Sequence, residues 1–171
     1  MANSTFSGPV RSESTFKAIS KDASTGTITE VSTYGGAPVA LGDEDKTLTT
    51  ADHSGRVLVV PALAANRTIT LPAPVAGANF KFVYGGAAEE TENLIIVTPG
   101  NTNFFLGGVL HITGTPASVY ADGNSNSKLT LTDFGLMEIN IEAKDGTNYY
   151  IWGYQQGAID RDWETHHQGK S

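Results

Sequence analysis

Four histidines and two clusters of carboxylates are the side chains of this chain that could carry chemistry. The histidines are His53, His111, His166 and His167. A zinc site needs three or four converging ligands, and the spacing does not gather them. His166 and His167 are neighbours in a polar stretch. His53 follows Asp52 in an expected loop, and His111 lies between Leu110 and Ile112 on an expected strand. Scattered imidazoles of this kind are read as structural or solvated. The carboxylates collect at Asp43-Glu44-Asp45 and at Glu89-Glu90 with Glu92. Two carboxylates about 5–10 Å apart across a cleft can hydrolyse a glycoside, and a cluster can bind Ca²⁺. Here the calcium-loop spacing is absent, and both groups fall in expected loops. No pair sits on adjacent expected strands, so both groups read as solvated loop tips. There is no Gly-x-Ser-x-Gly elbow. Gly169-Lys170-Ser171 carries only the last letters of a phosphate loop and follows no strand. Asn3-Ser4-Thr5 and Asn66-Arg67-Thr68 match a glycosylation sequon without a leader to make it count. The expectation is a protein that is not an enzyme and holds no cofactor or metal.

Composition points to what must position these residues. Of 171 residues, 19 are Gly and 20 are Thr, only 17% are charged, and none is Cys. Thr favours strands and Gly punctuates turns. Without Cys there are no disulfides, no thiol catalysis and no Cys-based zinc site. The formal net charge of −7 comes with no basic cluster to displace counterions from phosphates, so nucleic acid is not an expected partner. Nor is a membrane: the charge disfavours anionic lipid, and no apolar run approaches the roughly 20 residues of a spanning helix.

Residues 1–55 are poor in large apolar side chains. Such a segment orders only against its own core or a partner. One hairpin is expected there, Phe16–Ser20 with Thr27–Thr33 around Ser24-Thr25-Gly26. From Arg56 the texture becomes that of a β-core. Nine strands are expected: Arg56–Pro61, Arg67–Leu71, Asn79–Tyr84, Asn93–Thr98, Phe104–Thr113, Ala117–Ala121, Lys128–Asp133, Met137–Lys144 and Thr147–Tyr154. The first and fourth are continuous apolar runs of the kind buried on both faces. Asp145-Gly146 is a two-residue type I′ signature. It would oppose Ile141 to Tyr150, Ile139 to Trp152 and Met137 to Tyr154, with all six on one face. Trp152 would then be a core residue, and its replacement by Ala would cost about 3–5 kcal/mol. No segment keeps helical periodicity over three turns. The spacing predicts an all-β fold, an antiparallel β-sandwich or jelly-roll-like barrel, spanning residues 56–156. It carries an extended N-terminal arm and hairpin (1–55) and ends in a polar, mobile tail (157–171). Phe104 and Phe105 are adjacent on a strand and must point to opposite faces. One can enter the core, while the other needs a cover, internal or from another subunit.

Several stretches carry a resemblance. The opening Ala2-Asn3-Ser4-Thr5-Phe6-Ser7-Gly8-Pro9-Val10-Arg11-Ser12-Glu13 resembles the start of small head-associated structural proteins of tailed phages, marine and cyanobacterial ones especially. Arg67-Thr68-Ile69-Thr70-Leu71-Pro72-Ala73-Pro74, Asn101-Thr102-Asn103-Phe104-Phe105-Leu106-Gly107-Gly108 and Asp122-Gly123-Asn124-Ser125-Asn126-Ser127-Lys128-Leu129 are similar to the same group. The resemblance implies a capsid decoration, or cement, protein on the outer surface of the virion, bridging neighbouring capsomers. Its partner would be the major capsid protein. A homotrimer is the favoured assembly because shells offer local threefold positions, with a dimer as the other option. Phe6, Pro9, Val10, Arg11 and Phe16, spaced through an otherwise unfoldable segment, are the expected capsid contacts. Phe104 and Phe105 are the candidates for a subunit interface. The alternative is a tail-fibre, spike or collar component that binds a host glycan through Tyr149, Trp163 or the Asn/Asp-rich loops.

Overall fold

A computed structural model of the chain describes residues 18–31, 37–113 and 115–159. The chain divides into two compact units, Met1–Gly36 and Ala37–Ser171. The capsid contacts expected at Phe6, Pro9, Val10, Arg11 and Phe16 lie outside the described residues, as do Trp163, His166 and His167.

In the first unit the expected hairpin is present. β1 (Ala18–Lys21) pairs antiparallel with β2 (Ile28–Val31). Its turn is organised by one carboxylate. Asp22 Oδ1 accepts from the Ser24 and Thr25 backbone N–H groups, each at 2.8 Å, and from the Ser24 hydroxyl at 2.7 Å. These bonds, with the Ser24 hydroxyl first, hold the Asp22 carboxyl well below its ordinary range.

The second unit holds all nine strands expected from Arg56 onward, together with strands that composition did not announce. β3 (Val39–Ala40) and β4 (Lys46–Thr47) precede a single helical turn, α1 (Thr50–His53), capped by the Thr49 side chain. Then come β5 (Arg56–Val60), β6 (Arg67–Thr70), β7 (Asn79–Tyr84), β8 (Leu94–Val97) and β9 (Phe105–His111). They are followed by β10 (Ala117–Asp122), β11 (Lys128–Thr132), β12 (Met137–Ala143), β13 (Tyr149–Gln155) and β14 (Ala158–Ile159). Residues 37–55, grouped by composition with the N-terminal segment, are packed into this unit, with Leu41 and Leu48 in its core. The expected tail begins with a strand: Ala158 and Ile159 pair with β11.

The strands form a seven-stranded sheet, ordered β10-β9-β13-β12-β7-β5-β3, and a five-stranded sheet, ordered β14-β11-β8-β6-β4. The expectation of an antiparallel fold is corrected here, because both sheets are mixed. β3, β5 and β7 run parallel in the large sheet, and β4, β6 and β8 run parallel in the small one. The reason is the winding. From Val39 to Val97 the chain alternates between sheets, one strand in each. Every second strand therefore returns to the same sheet in the same direction. Proline closes two of these passages, at Pro61 and at Pro72 with Pro74, where a continuing ladder would need an N–H that proline lacks. One apolar cluster draws on the inner faces of both sheets, including Leu58, Phe80, Phe82, Ile139 and Ile151 from the large sheet and Ile69, Leu94, Ile96, Leu129 and Leu131 from the small one. Of the two apolar runs, the second is buried over adjacent residues, Ile96 to Thr98, whereas the first is not buried on both faces. In β5 only Leu58 and Val60 are buried, and Val57 and Val59 keep partial exposure.

The β12–β13 hairpin carries the main correction of detail. Its register opposes Ile141 to Ile151, Ile139 to Gly153 and Met137 to Gln155, one residue away from the I′ expectation. The turn is longer than Asp145-Gly146. Lys144 N–H donates to the Asn148 carbonyl, and Asp145 Oδ1 accepts from the N–H groups of Thr147 and Asn148 at 2.7 and 2.8 Å. Asp145 thus builds an Asx-type turn that absorbs one more residue. A one-residue slip turns every side chain of the strand over. Tyr149 and Ile151 enter the core, and Trp152 goes outside, 47% exposed.

Candidate binding surface

Several of the residues first singled out for chemistry are engaged in holding the fold. Asp43 pairs with Arg67 Nε at 2.6 Å and accepts from the Ala64 N–H. Asp45 Oδ1 accepts from the Thr68 N–H at 2.8 Å, and Asn66 Oδ1 accepts from the Asn93 N–H at 2.8 Å. Successive corners of the winding chain are thereby fastened one to the next, while Asp43, Glu44 and Asp45 keep the loop position and exposure expected of them. The Arg67 guanidinium holds the Asp43 carboxyl below its usual range. Glu90, by contrast, is no solvated loop tip, being only 8% exposed. It accepts from the Tyr84 hydroxyl through a short bond and from the Leu63 N–H at 3.2 Å. His53 is buried, with the Thr49 N–H donating to its Nδ1 at 3.0 Å. Among the described residues no three His, Asp or Glu side chains converge as a metal site would require, and no helix is long and apolar enough to cross a membrane.

Tyr84 and Tyr149 give the fold a pH signature. Burial pushes both hydroxyls up to about 12, helped at Tyr84 by the Glu90 carboxylate. Tyr149 is fully buried and donates to the Pro72 carbonyl at 2.7 Å, which removes it from any sugar-binding role. Above pH 10 an unfolded chain releases these protons while the folded one keeps them. Their contribution is complete below the unfolded value of 10.0 and is lost as pH rises toward about 12. For Tyr149 the loss should be on the order of 2 kcal/mol. Urea midpoints measured across that window should fall, and Tyr149→Phe should flatten the decline.

Phe105 is fully buried against Tyr149, with ring centroids 6.4 Å apart. This corrects its candidacy for a subunit interface: the inward face of β9 gives its side chain to the core. Phe104, half-buried beside it, is the one that keeps exposed surface.

What the structure does expose is a row of aromatic residues on the outer face of the large sheet. Tyr120 on β10 is opposite Gly108 on β9, Gly108 is opposite Trp152 on β13, and Trp152 is opposite Asn140 on β12. Tyr120 is 67% exposed. Tyr150 and Leu110 occupy the flanking rows, also exposed, and Ile112 follows β9. Asn140 Nδ2 donates to Glu138 Oε1 at 3.3 Å, and Glu138 pairs with Lys81 at 2.9 Å. Two signals in the sequence pointed to this face. In β10, Val119 and Ala121 alternate with Ser118, Tyr120 and Asp122. In the hairpin, Asp145 can build a loop longer than two residues.

Comparison with protein families finds no model that matches the chain, and comparison with curated proteins finds no match either.

Proposed function

We propose that this chain is a capsid decoration, or cement, protein that binds the outer surface of an assembled phage head and bridges neighbouring capsomers. The observation that supports it best is the employment of its carboxylates. Asp43, Asp45 and Glu90 all act as fasteners between successive passages of the chain. A body built this way resists deformation and leaves its reactive groups to structure. The finer architecture we propose is a β-sandwich of two mixed sheets, supported by the apolar cluster that both inner faces share. The partner is the major capsid protein, reached through Phe6, Pro9, Val10, Arg11 and Phe16. The assembly is a homotrimer at a local threefold position of the virion surface. Because such a protein binds the assembled shell and not its separated subunits, mass action shifts the equilibrium toward the shell. An extended arm suits this task, since it covers wide surface and can add a strand to an exposed sheet edge. Removal of residues 2–17 should abolish co-sedimentation with expanded shells while the β circular dichroism signal persists. Undiminished co-sedimentation would overturn the assignment of the arm.

A further inference from the structure

We propose that the outer face of the seven-stranded sheet is a glycan-binding platform, with Trp152 and Tyr120 stacking on the pyranose rings of an extended β-linked oligosaccharide. This goes beyond the shell-binding role and does not rest on it. Trp152 and Tyr120 stand one strand to either side of Gly108, so their backbones are about 10 Å apart at ordinary strand spacing. That distance is close to the rise of two sugar units in an extended β-1,4 chain. Between the two rings the floor is bare backbone. A Cβ at Gly108 would lie 2.9 Å from the Val119 carbonyl oxygen, so a side chain there is resisted. Neither ring is in a ring–ring contact among the described residues, and both stand on strands with a neighbour on at least one side. The backbone that carries the rings is thus fixed by strand pairing, which lowers the cost of binding.

The surroundings select the class of ligand. A pyranose presents apolar C–H groups on its faces and hydroxyls around its rim. The row offers the matching alternation. Beyond Trp152 come Asn140 and Lys81, and Ser118 and Asp122 flank Tyr120 on β10. Nucleobases would also stack on such rings. However, Asp122, Glu138 and Glu142 border the row, Lys81 is engaged by Glu138, and the chain carries −7. A phosphate backbone is repelled there, whereas a neutral sugar is not. A dry protein contact would want aliphatic side chains along the row, where Gly108, Asn140 and Lys81 stand, with Leu110 and Tyr150 confined to the flanking rows.

The free full-length chain carrying Trp163→Phe, so that Trp152 is the sole indole, is titrated with cellohexaose and with chitohexaose while tryptophan emission is followed. Maltohexaose, a curved α-linked chain, is the comparison. A saturable emission change is expected with at least one β-1,4 hexasaccharide, and a weaker one with maltohexaose. Tyr120→Ala should weaken that binding about tenfold. Trp152→Ala, followed by calorimetry, should abolish it while Tm stays near the wild-type value. The proposal is overturned if neither β-linked probe gives a saturable change, or if Trp152→Ala binds undiminished. It is also overturned if the rings are instead covered by self-association that Trp152→Ala dissolves, which would make this face a protein contact. No shell is present in the experiment, so failure of the decoration role and failure of this site are read separately.

Discussion

Gly153→Ala should destabilise the protein by about 4 kcal/mol, more than any other addition of a single methyl group to β13. Gly153 lies in the middle of the large sheet, between β9 and β12, with φ at +149°. An L-residue is strained there, at a cost of about 1–3 kcal/mol. A methyl group at that position would also land on the Glu138 carbonyl oxygen of the neighbouring strand. That oxygen belongs to a strand paired on both sides, so it cannot withdraw without disturbing β12 and β7. Overpacking of this kind adds about 1–3 kcal/mol. The urea midpoint should drop accordingly, and a midpoint equal to wild type would show that β13 can shift to accommodate the methyl.

Phe105→Ala should cost about 3–5 kcal/mol, whereas Phe104→Ala next to it should cost about 1 kcal/mol or less. Phe105 fills the core against Tyr149, and its removal leaves a ring-sized cavity in the core beside Tyr149. The loss should be the same at every protein concentration, because it arises inside one chain. Denaturant unfolding at two widely separated concentrations checks this. A cost that appeared only at the higher concentration would return Phe105 to a subunit interface.

These two residues mark what could be read before the structure. The nine strand ranges from Arg56 onward were legible, and in Asn79–Tyr84 the alternation of buried Phe80 and Phe82 with Lys81 shows why, since period 2 directly reflects which side meets the core. Adjacent phenylalanines forced a two-faced reading, and Phe105 took the inner face. The winding was not legible, because a strand pattern carries no record of which sheet receives it. β3 and β4 have only two residues each, too short for any period to show. The exposed aromatic face was missed for one local reason. Asp-Gly was read as the whole turn, although Asp145 caps two further N–H groups, and that single residue of register moved Trp152 from core to surface. The fasteners Asp43, Asp45 and Glu90 read as solvated because charge runs usually are. Each has a partner more than 20 positions away, as Asp45 has in Thr68 at a separation of 23.

The alternating passage of the chain between sheets has a consequence in time. Many contacts join residues distant in sequence: Asn103 and Thr147 meet across 44 positions, and the Tyr149 hydroxyl reaches Pro72 across 77. Each such meeting demands loop closure before it returns any contact energy. A topology of this kind folds on the millisecond-to-second scale rather than in microseconds. Until β13 is paired with both β9 and β12, the chain shows open edges and apolar strands to its surroundings, and it can aggregate through them.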